Sequence, residues 1–103
     1  MRLTDLEPQF LVCEGNGWRE VDTLAEAQGI MFLCPKCQSH SVVCWSRSRG
    51  TPDKAQPGPG RWAMKGTGYA DLTLDADPPS SARSVLLNGG CGWHGFVSNG
   101  EAA

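Results

Sequence analysis

The sequence contains no long apolar segment. No stretch of its 103 residues approaches the roughly 18 consecutive apolar residues that a membrane-spanning helix needs. The N-terminal segment, MRLTDLEP, also lacks the apolar core of a secretory signal peptide. We therefore expect a cytoplasmic protein that has no membrane partner.

The sequence also has no excess of positive charge. Nine Lys and Arg stand against eleven Asp and Glu, which gives a net charge of −2. Proteins that bind nucleic acids usually carry a clustered positive field, because neutralising phosphates supplies much of their affinity. The basic residues that cluster here are Arg47, Arg49 and Lys54, followed by Arg61 and Lys65. Nucleic-acid binding is disfavoured by this charge balance and is kept as an alternative.

The cysteines do not form a complete disulfide set, since there are five of them. The cytoplasm in addition keeps thiols reduced. The length fits a single domain, 1–103, small enough that a bound metal would add useful stability. The odd number of cysteines and the reducing cytoplasm both favour metal binding by some of the cysteines.

Thirteen glycines and seven prolines favour turns and short strands over long helices. Alternating or β-branched segments predict strands at 9–14, 18–22, 30–33, 41–45, 61–65, 71–75, 84–87 and 95–97, the last pairing with the C-terminal residues. Thr23 and Glu26 form a capping box that predicts one short helix from about Leu24 to Gln28. The polar segment 46–60, SRSRGTPDKAQPGPG, is typical of a loop.

Two short motifs carry metal-binding chemistry. Cys34-Pro35-Lys36-Cys37 and Cys91-Gly92-Trp93-His94 each place two ligands three positions apart on a tight turn. Together Cys34, Cys37, Cys91 and His94 form a Cys₃His set, which is typical of a closed, tetrahedral structural Zn²⁺. The fold class expected is therefore mainly β (small α+β), a zinc-ribbon-like twisted antiparallel sheet with one short helix and a long loop insert.

Other interpretations of the cysteines remain open at this stage. Cys-Pro-Lys-Cys could be a redox pair, but the second cysteine of such a pair normally begins a helix, whereas a strand follows here. Iron is compatible with the ligand types, although a histidine favours zinc. His40 and Cys44 form an alternative ligand pair with Cys34 and Cys37. We interpret Cys44 and Cys13 as core residues and His40 as a loop residue, a second-shell group or an alternative ligand.

The tryptophans are expected to serve mainly as core. Four Trp in so short a chain supply the large apolar area that a small sheet must bury. Tryptophan and arginine are also enriched at binding hot spots. Arg61 and Trp62, together with Arg47 and Arg49, are therefore the candidate partner-binding residues.

The order of the motifs FLCPKC, HSVVCW, GPGRW, GTGYADLTL, SVLL and GGCGWHGFVSNGE resembles a family of small phage and prophage proteins of unknown function. The resemblance covers the chain from Leu3 to Glu101. Relatives in that family occur near bacterial ubiquitin-like conjugation genes. The resemblance implies metal binding at the positions of the CxxC…CxxH pattern and supplies no activity.

The leading hypothesis is a zinc-stabilised phage or prophage accessory protein that acts as a protein-interaction module on a host or phage protein. A closed four-ligand zinc leaves no position for a substrate, and three thiolates make the ion a poor Lewis acid. A zinc-dependent hydrolase with Glu101, Asp71 or His40 as base is one alternative. A nucleic-acid-binding zinc-ribbon protein is the other.

Overall fold

The computed structural model describes residues 1–86 and 91–103. In this part of the chain the secondary structure consists of short strands and three single turns of 3₁₀ helix at Leu3–Asp5, Leu24–Glu26 and Arg47–Arg49. The strands are β1 (Gln9–Glu14), β2 (Gly17–Val21), β3 (Gly29–Leu33), β4 (Ser41–Trp45), β5 (Trp62–Lys65), β6 (Thr73–Ala76), β7 (Val85–Leu86), β8 (His94–Gly95), β9 (Val97–Ser98) and β10 (Glu101–Ala102). The predicted mainly β, antiparallel fold class is confirmed.

The largest sheet has four antiparallel strands in the order β2-β1-β3-β4. Its first hairpin turns at Gly15, whose φ of +59° is the left-handed conformation that glycine tolerates best. In the β1–β3 pair Phe10 lies opposite Ile30, and both side chains are buried. The β3–β4 pair ends with Leu33 opposite Ser41, directly before the first cysteine motif.

Three two-stranded sheets complete the described part, formed by the pairs β5–β6, β7–β8 and β9–β10. The chain termini are tied to each other: the Leu3 amide donates to the Gly100 carbonyl at 2.7 Å, and the Ala102 amide donates to the Met1 carbonyl at 2.9 Å. The Gly100 amide in turn donates to the Leu72 carbonyl at 2.9 Å. These bonds hold the C-terminal hairpin against the N-terminus and against the segment that leads into β6.

Most of the buried apolar residues form one hydrophobic cluster, which includes Cys34, the first cysteine of the Cys34–Cys37 motif. Phe32 of β3 packs edge-on against Trp93 with ring centroids 6.1 Å apart. Cys34 is fully buried and belongs to the same cluster. The cysteine motifs therefore border the core directly, so a metal bound there would anchor β3 to the C-terminal segment.

The predicted helix is shorter than expected and of a different type. The structure has a 3₁₀ turn at Leu24–Glu26, and Ala27 already has extended backbone angles. The Thr23 hydroxyl bonds to the Glu26 carboxylate at 2.8 Å and caps no helix amide. The physical reason is length: β2 ends at Val21 and β3 begins at Gly29, which leaves too few residues for an α-helix and its caps.

A carboxylate organises the turn between β5 and β6. Asp71 accepts hydrogen bonds from the amides of Thr67 and Gly68, both at 2.9 Å, and from the Thr67 hydroxyl at 2.8 Å. The Thr67 amide, followed by the Gly68 amide and the Thr67 hydroxyl, lowers the pKa of Asp71 below its ordinary value of 3.8. Asp71 was a candidate catalytic base, and the structure gives its carboxylate a turn-forming role.

We expect Asp71→Asn to reduce the free energy of unfolding at neutral pH. Because the folded pKa lies below the unfolded one, the ionised carboxylate stabilises the fold above the unfolded value, and this contribution is lost as pH falls through the folded pKa. Urea unfolding of both proteins at several pH values measures the effect. The difference in midpoint should be largest near neutral pH and should shrink in acid; a difference independent of pH would contradict this role.

Candidate metal centre

Three cysteine side chains meet at one point. Within the described residues, the sulfur atoms of Cys34, Cys37 and Cys91 all lie within 4.8 Å of one another. Cys34 is buried, and Cys37 and Cys91 are half-buried. Cys34 Sγ lies 3.4 Å from Cys91 Sγ, although the two residues are separated by 57 positions in the chain. Three of the four predicted metal ligands are thus brought together.

The first motif forms a tight loop between β3 and β4. The Gln38 amide donates to the Cys34 carbonyl at 2.8 Å, and the Cys34 amide donates to the His40 carbonyl at 2.8 Å. The Ser39 amide points at Cys37 Sγ at 3.5 Å. Closing the loop in this way directs the side chains of both cysteines to the same side, which is what a metal-binding knuckle requires.

Gln38 holds this loop closed in an unfavourable backbone conformation. Its φ is +55°, in the left-handed region where a side chain costs about 1–2 kcal/mol relative to glycine. Gln38 is exposed, and its side-chain nitrogen Nε2 contacts Met1 Sδ at 3.2 Å. The sequence offers no signal for this strain, since glycine is the usual residue there.

We expect Gln38→Gly to stabilise the protein by about 0.5–1 kcal/mol, because removing the strain outweighs the added freedom of the unfolded chain. Denaturant unfolding of the metal-loaded protein measures the change. Gln38→Ala is the matched control, since it removes the contact to Met1 and keeps the Cβ. If both variants shift the midpoint equally, the strain is not the cause.

The second motif brings Cys91 from the C-terminal half of the chain. The motif turns at Gly92, whose φ is +67°. The Lys36 ammonium group donates to the Cys91 carbonyl at 3.2 Å and links the two motifs. Gly89 and Gly90, predicted to precede this motif, lie outside the described residues.

The two histidines take different positions relative to the thiols. His40 Nδ1 lies 3.0 Å from Cys37 Sγ. His94 is exposed on β8, where it lies opposite Leu86 of β7. Neither ring has a nitrogen within 4.8 Å of all three sulfurs. The role of His94 as the fourth ligand stays a prediction.

The electrostatics of the thiols differ from one another. The hydrogen bond with His40, helped by the Ser39 amide, lowers the pKa of Cys37 from 9.0 to about 6. Burial, followed by the neighbouring thiols of Cys34 and Cys37, raises the pKa of Cys91. A bound cation would favour the thiolate form of all of them.

The remaining cysteines lie elsewhere. Cys44 is buried beside Val42 on the core side of β4, as predicted, and burial raises its pKa. Cys13 is half-buried, less than predicted, because it lies near the turn of the first hairpin, opposite the exposed Trp18. Cys44 is therefore core and does not join the three clustered thiols.

The donor set fits a soft cation. In a tetrahedral zinc site with Zn–S bonds of about 2.3 Å, neighbouring sulfurs lie about 3.8 Å apart. The Cys34–Cys91 separation of 3.4 Å is close to that edge. Small shifts of the side chains would therefore suffice to accommodate the ion, and the three thiols are compatible with a metal site.

Two of the three candidate partner-binding arginines form hydrogen bonds within the protein. Arg61 is 5% exposed, and its guanidinium group donates to the backbone carbonyls of Pro52, Asp53, Ala55, Pro57 and Gly60. Arg49 donates to the carbonyls of Leu24 and Ala27, at 2.6 and 3.1 Å. Arg47 is exposed and lies 3.7 Å from Asp53. Sequence reasoning missed that the loop 52–60 is built around a buried guanidinium.

Trp62 lies at the border between core and surface. It is half-buried, and its indole nitrogen donates to the Arg83 carbonyl at 3.1 Å. One face of the ring lines a groove of about 540 Å³ between β4, the Pro57–Gly60 segment and β7. Trp62 therefore remains a candidate for contact with a partner, and the described residues that line the groove carry no charged side chain.

Comparison with known proteins yields no relative: no protein family, curated protein or solved structure matches the chain. The described residues contain no helix long and apolar enough to cross a membrane.

Proposed function

We propose that the protein is a small zinc-stabilised accessory protein, phage- or prophage-encoded, that acts in the cytoplasm as a protein-interaction module. The observation that supports the zinc site is the cluster of Cys34, Cys37 and Cys91 beside the core. The phage origin is proposed from the order of the sequence motifs alone. In this proposal the ion stabilises the fold, and the surface carries the function.

Exposed apolar residues support a role in protein contact. His94 and Phe96 alternate with the buried Gly95 and Val97, so both point to solvent on one side. Leu86, opposite His94, is 56% exposed, and Phe96 is 47% exposed. We call Leu86, His94 and Phe96 the Leu86 face; Leu86 also borders the groove that Trp62 lines. Apolar side chains that stay exposed beside a groove are typical of protein-binding surfaces.

The arginine contacts weigh against nucleic-acid binding. Of the three candidate arginines, Arg49 and Arg61 donate to backbone carbonyls, and Arg47 is exposed but lies 3.7 Å from Asp53. With a net charge of −2, the protein also has no excess of positive charge for binding a phosphate backbone.

Affinity capture from host lysate tests the interaction, using the zinc-loaded wild type beside two variants. Leu86→Glu places a charge on the Leu86 face, and Trp18→Glu places one on an exposed residue of β2. A protein captured by the wild type and by Trp18→Glu, but lost with Leu86→Glu, supports the proposal. Capture that is unchanged by Leu86→Glu, or no capture at all, contradicts a role for this face.

A further inference from the structure

The geometry points to His40 as the fourth metal ligand, through Nδ1, so that the ion is held by Cys34, Cys37, His40 and Cys91 and not by His94. This inference rests on the proposed zinc site, and it names the ligand that closes it. The sequence alone cannot decide between the histidines, because His40 follows Cys37 and His94 follows Cys91 at the same spacing of three positions.

The first argument is the contact with Cys37. His40 Nδ1 lies 3.0 Å from Cys37 Sγ, so one ring nitrogen already points at a thiol of the cluster. A zinc-bound nitrogen and sulfur, with bonds of about 2.0 and 2.3 Å, are about 3.5 Å apart in a tetrahedron. An ion that enters between them would replace the shared proton and separate the two atoms by about half an ångström.

The second argument is a backbone contact with Cys34. The β3–β4 pair ends with Leu33 opposite Ser41, and just beyond it the Cys34 amide donates to the His40 carbonyl at 2.8 Å. This bond holds the backbones of Cys34 and His40 side by side at the mouth of the loop. His40 is thus linked to two of the three cysteines, to Cys34 through the backbone and to Cys37 through its ring.

The position of His94 is less suited to ligation. It lies in β8 between the buried Trp93 and Gly95, and its own side chain is exposed. Its cross-strand partner is Leu86, whose side chain is also exposed. Neither histidine ring lies within 4.8 Å of all three sulfurs, and among the described residues it is His40, not His94, whose ring contacts one of them. Its ring therefore belongs to the Leu86 face.

Burial is consistent with this assignment. Cys34 is fully buried, and His40 is exposed, so the site would sit at the edge of the core with the imidazole on the water side. A histidine that binds a metal through one ring nitrogen needs a hydrogen-bond acceptor for the other nitrogen. Ligation through Nδ1 leaves the Nε2–H group free to donate to water. In this arrangement three ligands come from one loop of seven residues, 34–40, and Cys91 is the single distant one.

The test is nuclear magnetic resonance of the full chain loaded with ¹¹³Cd²⁺, a spin-active substitute for zinc. Scalar coupling between the metal and imidazole protons identifies the bound ring without any mutation. We expect coupling to the ring of His40 and none to His94. Coupling to His94, or a metal coupled to neither ring, overturns the inference and leaves the metal site itself standing. A chain that binds no metal overturns both proposals.

Two variants provide a second readout by competition with a zinc chelator. His40→Ala should weaken zinc binding by more than about 100-fold, since even an outer-shell partner contributes 10–100-fold. His94→Ala should change the affinity by less than about 10-fold. The reverse order of the two losses contradicts the assignment. Should His40→Ala not fold, the cadmium spectrum of the wild type decides alone.

Discussion

Cys34→Ser should abolish metal binding and leave the chain unfolded at room temperature. A structural zinc contributes about 10–16 kcal/mol in small zinc-binding peptides, which is as large as the entire stability of an ordinary domain, about 5–15 kcal/mol. Cys34 is fully buried at the end of β3, where the ion would join the sheet to the segment around Cys91. Circular dichroism and the zinc content of the purified variant measure the outcome.

Cys44→Ser is the matched control for this experiment. Cys44 is as buried as Cys34 and lies on the neighbouring strand, outside the group of three sulfurs. Placing a hydroxyl there should cost about 1–3 kcal/mol and leave the zinc content unchanged. A Cys34→Ser protein that is no less stable than Cys44→Ser would show that the cluster does not hold the fold together through a metal.

Gly100→Ala should destabilise the protein by about 3–5 kcal/mol, the second largest effect that we expect. The φ of Gly100 is +78°, which alone costs a side chain about 1–2 kcal/mol. A Cβ at this position would in addition overlap the carbonyl group of Ala70, which is backbone and cannot rotate away. The substitution would push the C-terminal hairpin away from Leu3 and Leu72, whose backbone bonds converge on Gly100.

Gly15→Ala separates the two contributions to this effect. Gly15 has a similar φ of +59°, but a Cβ there would have no atom within 4 Å. Its cost should be limited to the backbone strain of about 1–2 kcal/mol. Denaturant unfolding of both variants measures the difference. Equal losses for Gly100→Ala and Gly15→Ala would contradict the close approach of Ala70.

Local patterns predicted much of the strand content. The alternating segments 9–14 and 41–45 are strands with the predicted bounds, and the hairpin between β1 and β2 turns at the Gly-Asn-Gly signal. The segment 95–97 was predicted to pair with the last residues; the structure has this pairing at Val97–Ser98, while Gly95 pairs with Val85. These features depend on short-range chemistry, because turn residues and side-chain alternation act within one hairpin.

The short helix and the buried arginine show where local patterns fail. The Thr23–Glu26 capping box is a valid local signal, but the start of β3 at Gly29 leaves no room for the helix that it predicts. Arg61 reads as a surface charge, yet five carbonyls of its own loop surround it. Both outcomes depend on how distant parts of the chain close, which composition and periodicity do not encode.

Part of the metal site could be predicted from local patterns, and part could not. The spacing of Cys34 and Cys37 marks a knuckle, and Cys91 was recognised as its distant partner. Cys37-x-x-His40 and Cys91-x-x-His94 are equivalent as patterns, so spacing could not choose between the histidines. The 3.0 Å contact between His40 Nδ1 and Cys37 Sγ, which depends on how the loop between β3 and β4 closes, distinguishes them.

The most direct measurement is the metal content of the purified wild-type protein, determined by elemental mass spectrometry together with native mass spectrometry. The proposed site predicts one zinc per folded chain, lost when the cluster thiols are modified and retained when Cys13, which lies outside the cluster, is replaced by Ser. A folded, monodisperse chain that carries no metal, with all five cysteines titrating as free thiols, would contradict it.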